Sequence, residues 1–136
     1  MIATRRLLGK SLMKLKLLLK NLSEKPSFEC FGKIPFDEIS KLENSLGITF
    51  VNSYKIFLQE FGCAEWFGHT IFGISDDEDC KTLSYTIELR DNEIPDEIKR
   101  IPHEGNVLEI YGGGGHYFLY SNESSRAGEV SLFMDE

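Results

Sequence analysis

Ile39-Ser40-Lys41-Leu42-Glu43-Asn44-Ser45-Leu46-Gly47, followed after four residues by Asn52-Ser53-Tyr54-Lys55-Ile56-Phe57-Leu58-Gln59-Glu60-Phe61-Gly62, is the stretch on which the fold turns. Phe36, Ile39, Leu42 and Leu46 recur at helical spacing and predict a buried helix face. That helix is expected over Pro35 to Leu46, with Pro35 in the first turn, where its missing N–H costs nothing. Gly47 then supplies a left-handed stop. The next helix is expected to start with Asn52 or Ser53 as its cap and to run to Phe61. Its apolar side is Tyr54, Phe57, Leu58 and Phe61, and Gly62 ends it. Two short helices, each closed by glycine, form a strong local pattern.

Upstream, Leu8, Leu12, Leu15, Leu19 and Leu22 step by four, three, four and three, which places them on one helical stripe. Residues 1–25 therefore read as an amphipathic basic helix packed on the domain that follows, ended by Lys25-Pro26. The alternative is a surface helix lying on acidic lipid. Lys10, Lys14 and Lys16 interrupt the apolar run and no small-residue cleavage site follows, so the start does not read as a secretory signal.

Downstream the pattern changes. Trp66 to Ile74 is aromatic and β-branched with glycines at 68 and 73, which predicts paired strands or a hairpin. Val107 to Tyr111, His116 to Ser121 and Glu129 to Met134 predict three more strands, with Gly112–Gly115 and Asn122–Gly128 as turns. Asn92 to His103, with two prolines, reads as connection. Leu83, Tyr85, Ile87 and Leu89 alternate with polar residues, a pattern that favours a strand. Helices first and then strands joined by short turns indicate an α+β fold with a mainly antiparallel sheet. At 136 residues the chain fits one domain.

Charge is unevenly distributed. Seven basic residues against Glu24 alone give residues 1–25 a charge of +6, so residues 26–136 carry −13 of the total of −7. An acidic body repels nucleic acid and anionic membrane and attracts basic partners. The acidic run Asp76-Asp77-Glu78-Asp79 is its densest part; such a run is ordinarily a solvated loop, and otherwise a recognition surface for a basic protein such as a nuclease. Trp66 and Tyr85 are candidate apolar anchors beside it. Cys30, Cys63 and Cys80 share no paired spacing, which fits reduced thiols and a cytoplasmic location. Neither these cysteines nor His69, His103 and His116 form a local metal-ligand pair, so no metal or cofactor is expected. Gly112–Gly115 is followed by a strand, not by the helix that a phosphate loop requires. No G-x-S-x-G elbow is present.

Ile39-x-x-Leu42-Glu43-x-x-Leu46-Gly47, Tyr54-Lys55-x-Phe57-Leu58, Phe61-Gly62, then Phe67-Gly68 and Ile71-Phe72-Gly73-Ile74 together resemble the opening signature of the SUKH superfamily, with Val107 to Tyr120 and Gly128-Glu129-Val130 similar to its closing strands. The resemblance covers residues 28–134 within a domain of residues 26–136. Phe50-Val51 stands where the family usually has Leu-Pro, and four glycines replace its polar turn between late strands. Members usually continue into a further helix after the final strand, which residues up to Glu136 do not include. The resemblance implies that Leu83 to Arg90 is helical, with Leu83, Ile87 and Arg90 on one face, and that reading is taken over the alternation. The family includes yeast Smi/Knr-type cell-wall regulators and many bacterial immunity proteins. It therefore implies a non-catalytic immunity protein that binds a cognate toxin through its surface, or else a regulatory scaffold.

Overall fold

The computed structural model describes residues 17–66, 68–75, 81–91, 102–111 and 115–134. Among them the elements run α1 (17–23), β1 (Glu29–Cys30), α2 (Phe36–Leu46), α3 (Asn52–Phe61), β2 (Ala64–Trp66), β3 (His69–Ile71), α4 (Thr82–Asp91), β4 (Gly105–Tyr111), β5 (Gly115–Tyr120) and β6 (Val130–Met134). The strands form two antiparallel sheets, ordered β1-β2-β3 and β4-β5-β6. The class is α+β, helices preceding the larger sheet, as the residue pattern predicts. No described helix is long and apolar enough to cross a membrane.

Helices α2 and α3 fall where the glycine stops place them, with two differences at their starts. Pro35 and Val51 are extended N-caps (ψ 154° and 152°), each lying just outside its helix, and neither helix has a side-chain cap. Pro35 therefore precedes the first turn, and Asn52 and Ser53 lie inside α3. Gly47 is left-handed (φ 71°, ψ 29°), and the N–H groups of Gly47 and Ile48 both donate to the Glu43 carbonyl, at 2.8 and 3.1 Å. The Glu43 side chain then accepts the Phe50 N–H at 2.7 Å and meets Lys55 Nζ at 3.5 Å. One residue thus closes α2 and orients the entry to α3. Phe36 is 62% exposed, so the buried face of α2 is Ile39, Leu42 and Leu46 without it.

Side chains gather in two clusters. The first joins Ile39, Leu42 and Leu46 to Phe50, Tyr54, Phe57, Leu58 and Phe61, and takes in Leu19 of α1 and Leu119 of β5. Leu17 and Leu18 are exposed, and the remainder of the leucine stripe up to Leu15 lies outside the described residues. The second cluster is Phe72, Val107, Phe118 and Tyr120, with Tyr85, Leu89 and Phe133 against it. Each fully buried large side chain, such as Phe50 or Phe118, contributes roughly 1.5–3 kcal/mol by leaving water. The two clusters are drawn together where Gly62 meets Gly73. A Cβ on Gly73 would overlap the Gly62 carbonyl, which accepts the Ile74 N–H at 2.9 Å.

Leu83 to Arg90 is helical, but the face it buries is polar. Thr82, Thr86 and Arg90, spaced by four, are all buried. Leu83 packs on the first cluster while Tyr85 and Leu89 pack on the second. The apolar side chains therefore flank a polar stripe. That stripe runs along the outer edge of β4. Thr82 Oγ1 donates to the Val107 carbonyl, Thr86 Oγ1 accepts the Val107 N–H at 2.9 Å, and Arg90 donates to the Gly105 carbonyl at 2.8 Å. Four helical residues rise about 6 Å, close to the span of about 6.7 Å of two strand residues. Helical side chains can thus serve outward-facing groups along a strand. Ile87 is exposed and does not share the face that buries Arg90.

Candidate functional site

Tyr54, held by α3, donates its phenolic O–H to the Phe72 carbonyl at 2.6 Å. Burial pushes this phenol well above its ordinary range, outweighing the opposite pull of hydrogen bonds with Thr82 and Asn106. Tyr54 therefore keeps its proton at neutral pH. Asn106 Nδ2 donates to Thr82 Oγ1 at 3.0 Å, and Thr82 lies within 3.4 Å of Thr86. Arg90 donates to Leu46, His103 and Gly105 carbonyls at 2.8, 3.0 and 2.8 Å. Thr82, Thr86 and Asn106 are wholly buried, so no substrate reaches this cluster. Its work is to satisfy main-chain groups where α3, α4, β3 and β4 converge.

Histidines and cysteines are dispersed. His69 Nδ1 meets Glu109 Oε1 at 3.1 Å, a link between β3 and β4 near the surface. His116 is buried and stacks on Phe133, while His103 is exposed. Cys63 is buried, Cys30 is exposed and Cys80 lies outside the described residues. Among the described residues no three His, Cys, Asp or Glu side chains gather to hold a metal ion.

Asp76, Asp77, Glu78 and Asp79 lie outside the described residues. Trp66 ends β2, half-buried against the first cluster, its ring 5.8 Å from that of His69. Tyr85 stacks flat on Phe72, with centroids 4.6 Å apart and planes 5° apart. One face of Tyr85 is therefore spent on packing. The structure does not bring Trp66 and Tyr85 into one cluster: the first is tied to α-helical core, the second to the larger sheet.

A groove of about 540 Å³ opens between α2 and the start of α4. Phe31, Ile34, Leu42, Ile74 and Leu83 give it an apolar floor, and Lys33, Lys41 and Lys81 bring positive charge to it. Glu38, also in the lining, pairs with Lys41 at 3.3 Å. Ser75 and Lys81, which flank the acidic run in sequence, both line it. Sequence reasoning misses this groove because its walls come from segments some forty residues apart. The one local hint is Phe31, apolar and exposed just before α2.

The groove thus joins an apolar floor to three lysines, on a body of otherwise acidic balance. The SMI1-KNR4 cell-wall family, in its SUKH_6 division, matches residues 37–136. No curated protein matches the chain closely enough to stand as a relative. The family match takes in α2, α3, α4 and the β-strands from β2 onward, well over half of the chain. This chain belongs to the SMI1-KNR4 family of the SUKH superfamily.

Proposed function

We propose that the chain is a non-catalytic immunity protein, which binds a cognate bacterial protein toxin and blocks its action. The observation that supports this most is the division of labour between interior and surface. Tyr54, Thr82, Thr86 and Arg90 all spend their polar atoms on main-chain groups of the fold. Recognition is then left to the exterior. A body of −13 favours a basic partner, and a nuclease is the toxin chemistry that this charge fits best. Carboxylates of the acidic run Asp76 to Asp79 would occupy positions made for phosphates, with Trp66 and Tyr85 as flanking anchors.

The test is co-expression with the protein encoded beside it. The expected result is a one-to-one complex and survival of cells that the neighbour alone kills. Failure of the purified chain to bind or inhibit that neighbour, together with turnover of a substrate, would remove the proposal. A regulatory adaptor of the Smi/Knr type is a second reading, favoured by the cell-wall description of the matched family. An adaptor would retain host proteins in the absence of any toxin.

A further inference from the structure

We propose that the outer edge of β6 docks an extended strand of a basic protein partner, which joins the sheet beyond β6. The nature of the partner rests on the immunity reading; the edge itself does not. The two borders of the larger sheet are treated differently by the fold. Along β4, the outward groups of Gly105 and Val107 are taken by Arg90, Thr82 and Thr86, and the Leu108 carbonyl accepts the Phe72 N–H at 2.8 Å. Along β6, no described strand pairs on the side away from β5.

The register tells which groups face outward. Tyr120 N–H donates to the Glu129 carbonyl at 3.0 Å, and Leu119 stands opposite Val130. Antiparallel pairs alternate between bonded and non-bonded, so Ser131 and Phe133 bond to β5 while Val130 and Leu132 turn their N–H and C=O outward. The two residues are 51% and 44% exposed. Val130 to Met134 contains no charge and no proline, the usual devices that blunt an edge. An incoming strand therefore meets main-chain groups that no described strand pairs, and two apolar residues at alternate positions, the requirements of strand addition.

Charge selects among occupants. Glu129 precedes the strand, Asp135 and Glu136 follow it in sequence, and the body carries −13. Arg126 offsets Glu129 at 3.4 Å, leaving the far end acidic. A second copy would join two bodies of like charge, which is unfavourable. An apolar strand flanked by basic residues has no such opposition.

The probe is a nine-residue peptide of alternating valine and threonine with two lysines at each end, titrated into the full chain. A second peptide replaces the lysines by glutamates. Saturable one-to-one binding of the first is expected, with the second at least tenfold weaker. Leu132→Pro removes one outward N–H without touching the β5 ladder, and should weaken binding at least tenfold. Leu132→Thr keeps that N–H and should lose less. In the unaltered chain, hydrogen exchange at Val130 and Leu132 should slow on adding peptide, a readout independent of whether the proline variant folds. Absence of saturable binding, equal binding of both peptides, or unchanged exchange at those two amides overturns the proposal. So does a wild-type dimer that Leu132→Pro dissociates. Because the peptide assay contains no toxin, an edge that fails there while the chain still neutralises its neighbour leaves the immunity reading standing, and the reverse outcome leaves the edge.

Discussion

Thr86 and Arg90 show how single polar atoms hold this fold. Thr86→Val keeps the shape but leaves the buried Val107 N–H without its acceptor, which should cost about 1–3 kcal/mol. Arg90→Ala withdraws donors from three carbonyls at once, one of them Leu46 at the end of α2, and should cost about 3 kcal/mol or more. Denaturant titration measures both; a loss below about 0.5 kcal/mol for either would show that the β4 edge is served otherwise. Glu123 adds a pH-dependent contact. Desolvation pushes its carboxyl up, but the Thr49 N–H at 2.8 Å and further hydrogen bonds outweigh it and hold the pKa below the ordinary value. A depressed carboxylate contributes stability above its unfolded pKa, and that contribution disappears as pH falls through the folded value. Glu123→Gln should therefore weaken the protein at neutral pH and flatten the acid limb of its stability profile. An acid limb identical to the parent's would show that the Thr49 contact carries no linkage.

At the scale of elements, α2 and α3 are legible in the sequence because each has an amphipathic period and a glycine stop, both local signals. Helix α4 is not, since its interior stripe is Thr82, Thr86 and Arg90 and its apolar residues sit to either side. Periodicity assumes that the buried face is apolar; at a sheet edge that must be capped by side chains, the assumption inverts. Phe36 fails for the opposite reason, being apolar, in phase and yet exposed. The first helix carries its own prediction. Leu19 belongs to the first cluster, and its burial contributes roughly 2 kcal/mol. Deleting residues 1–22 should lower the melting temperature by about 5 °C or more, given the few degrees per kcal/mol expected of a domain this size. An unchanged melting temperature would mean that the helix adds nothing to the core.

For the molecule as a whole, composition and charge are readable, whereas the groove and the edge of β6 that no described strand pairs are not. Both arise from residues that meet only after folding: α2 against α4 for the groove, and the end of the β4-β5-β6 order for the edge. The charge makes the broadest prediction. If a basic toxin is drawn in by the −13 body, the attraction acts over distances comparable to the Debye length, about 10 Å at 0.1 M salt, and so governs encounter more than lifetime. Replacing Asp76, Asp77, Glu78 and Asp79 by their amides removes four charges at one place without deleting the segment. Association should slow by roughly tenfold at low salt, dissociation should change far less, and the dependence of the on-rate on salt should flatten. At about 0.5 M salt the two proteins should associate at nearly the same rate, because screening has already removed what the amides remove. Stopped-flow kinetics separates these cases. An on-rate unaltered by the four substitutions at low salt would place the attracting charge elsewhere on the body, and a change confined to the off-rate would make the acidic run a contact surface, with no part in steering.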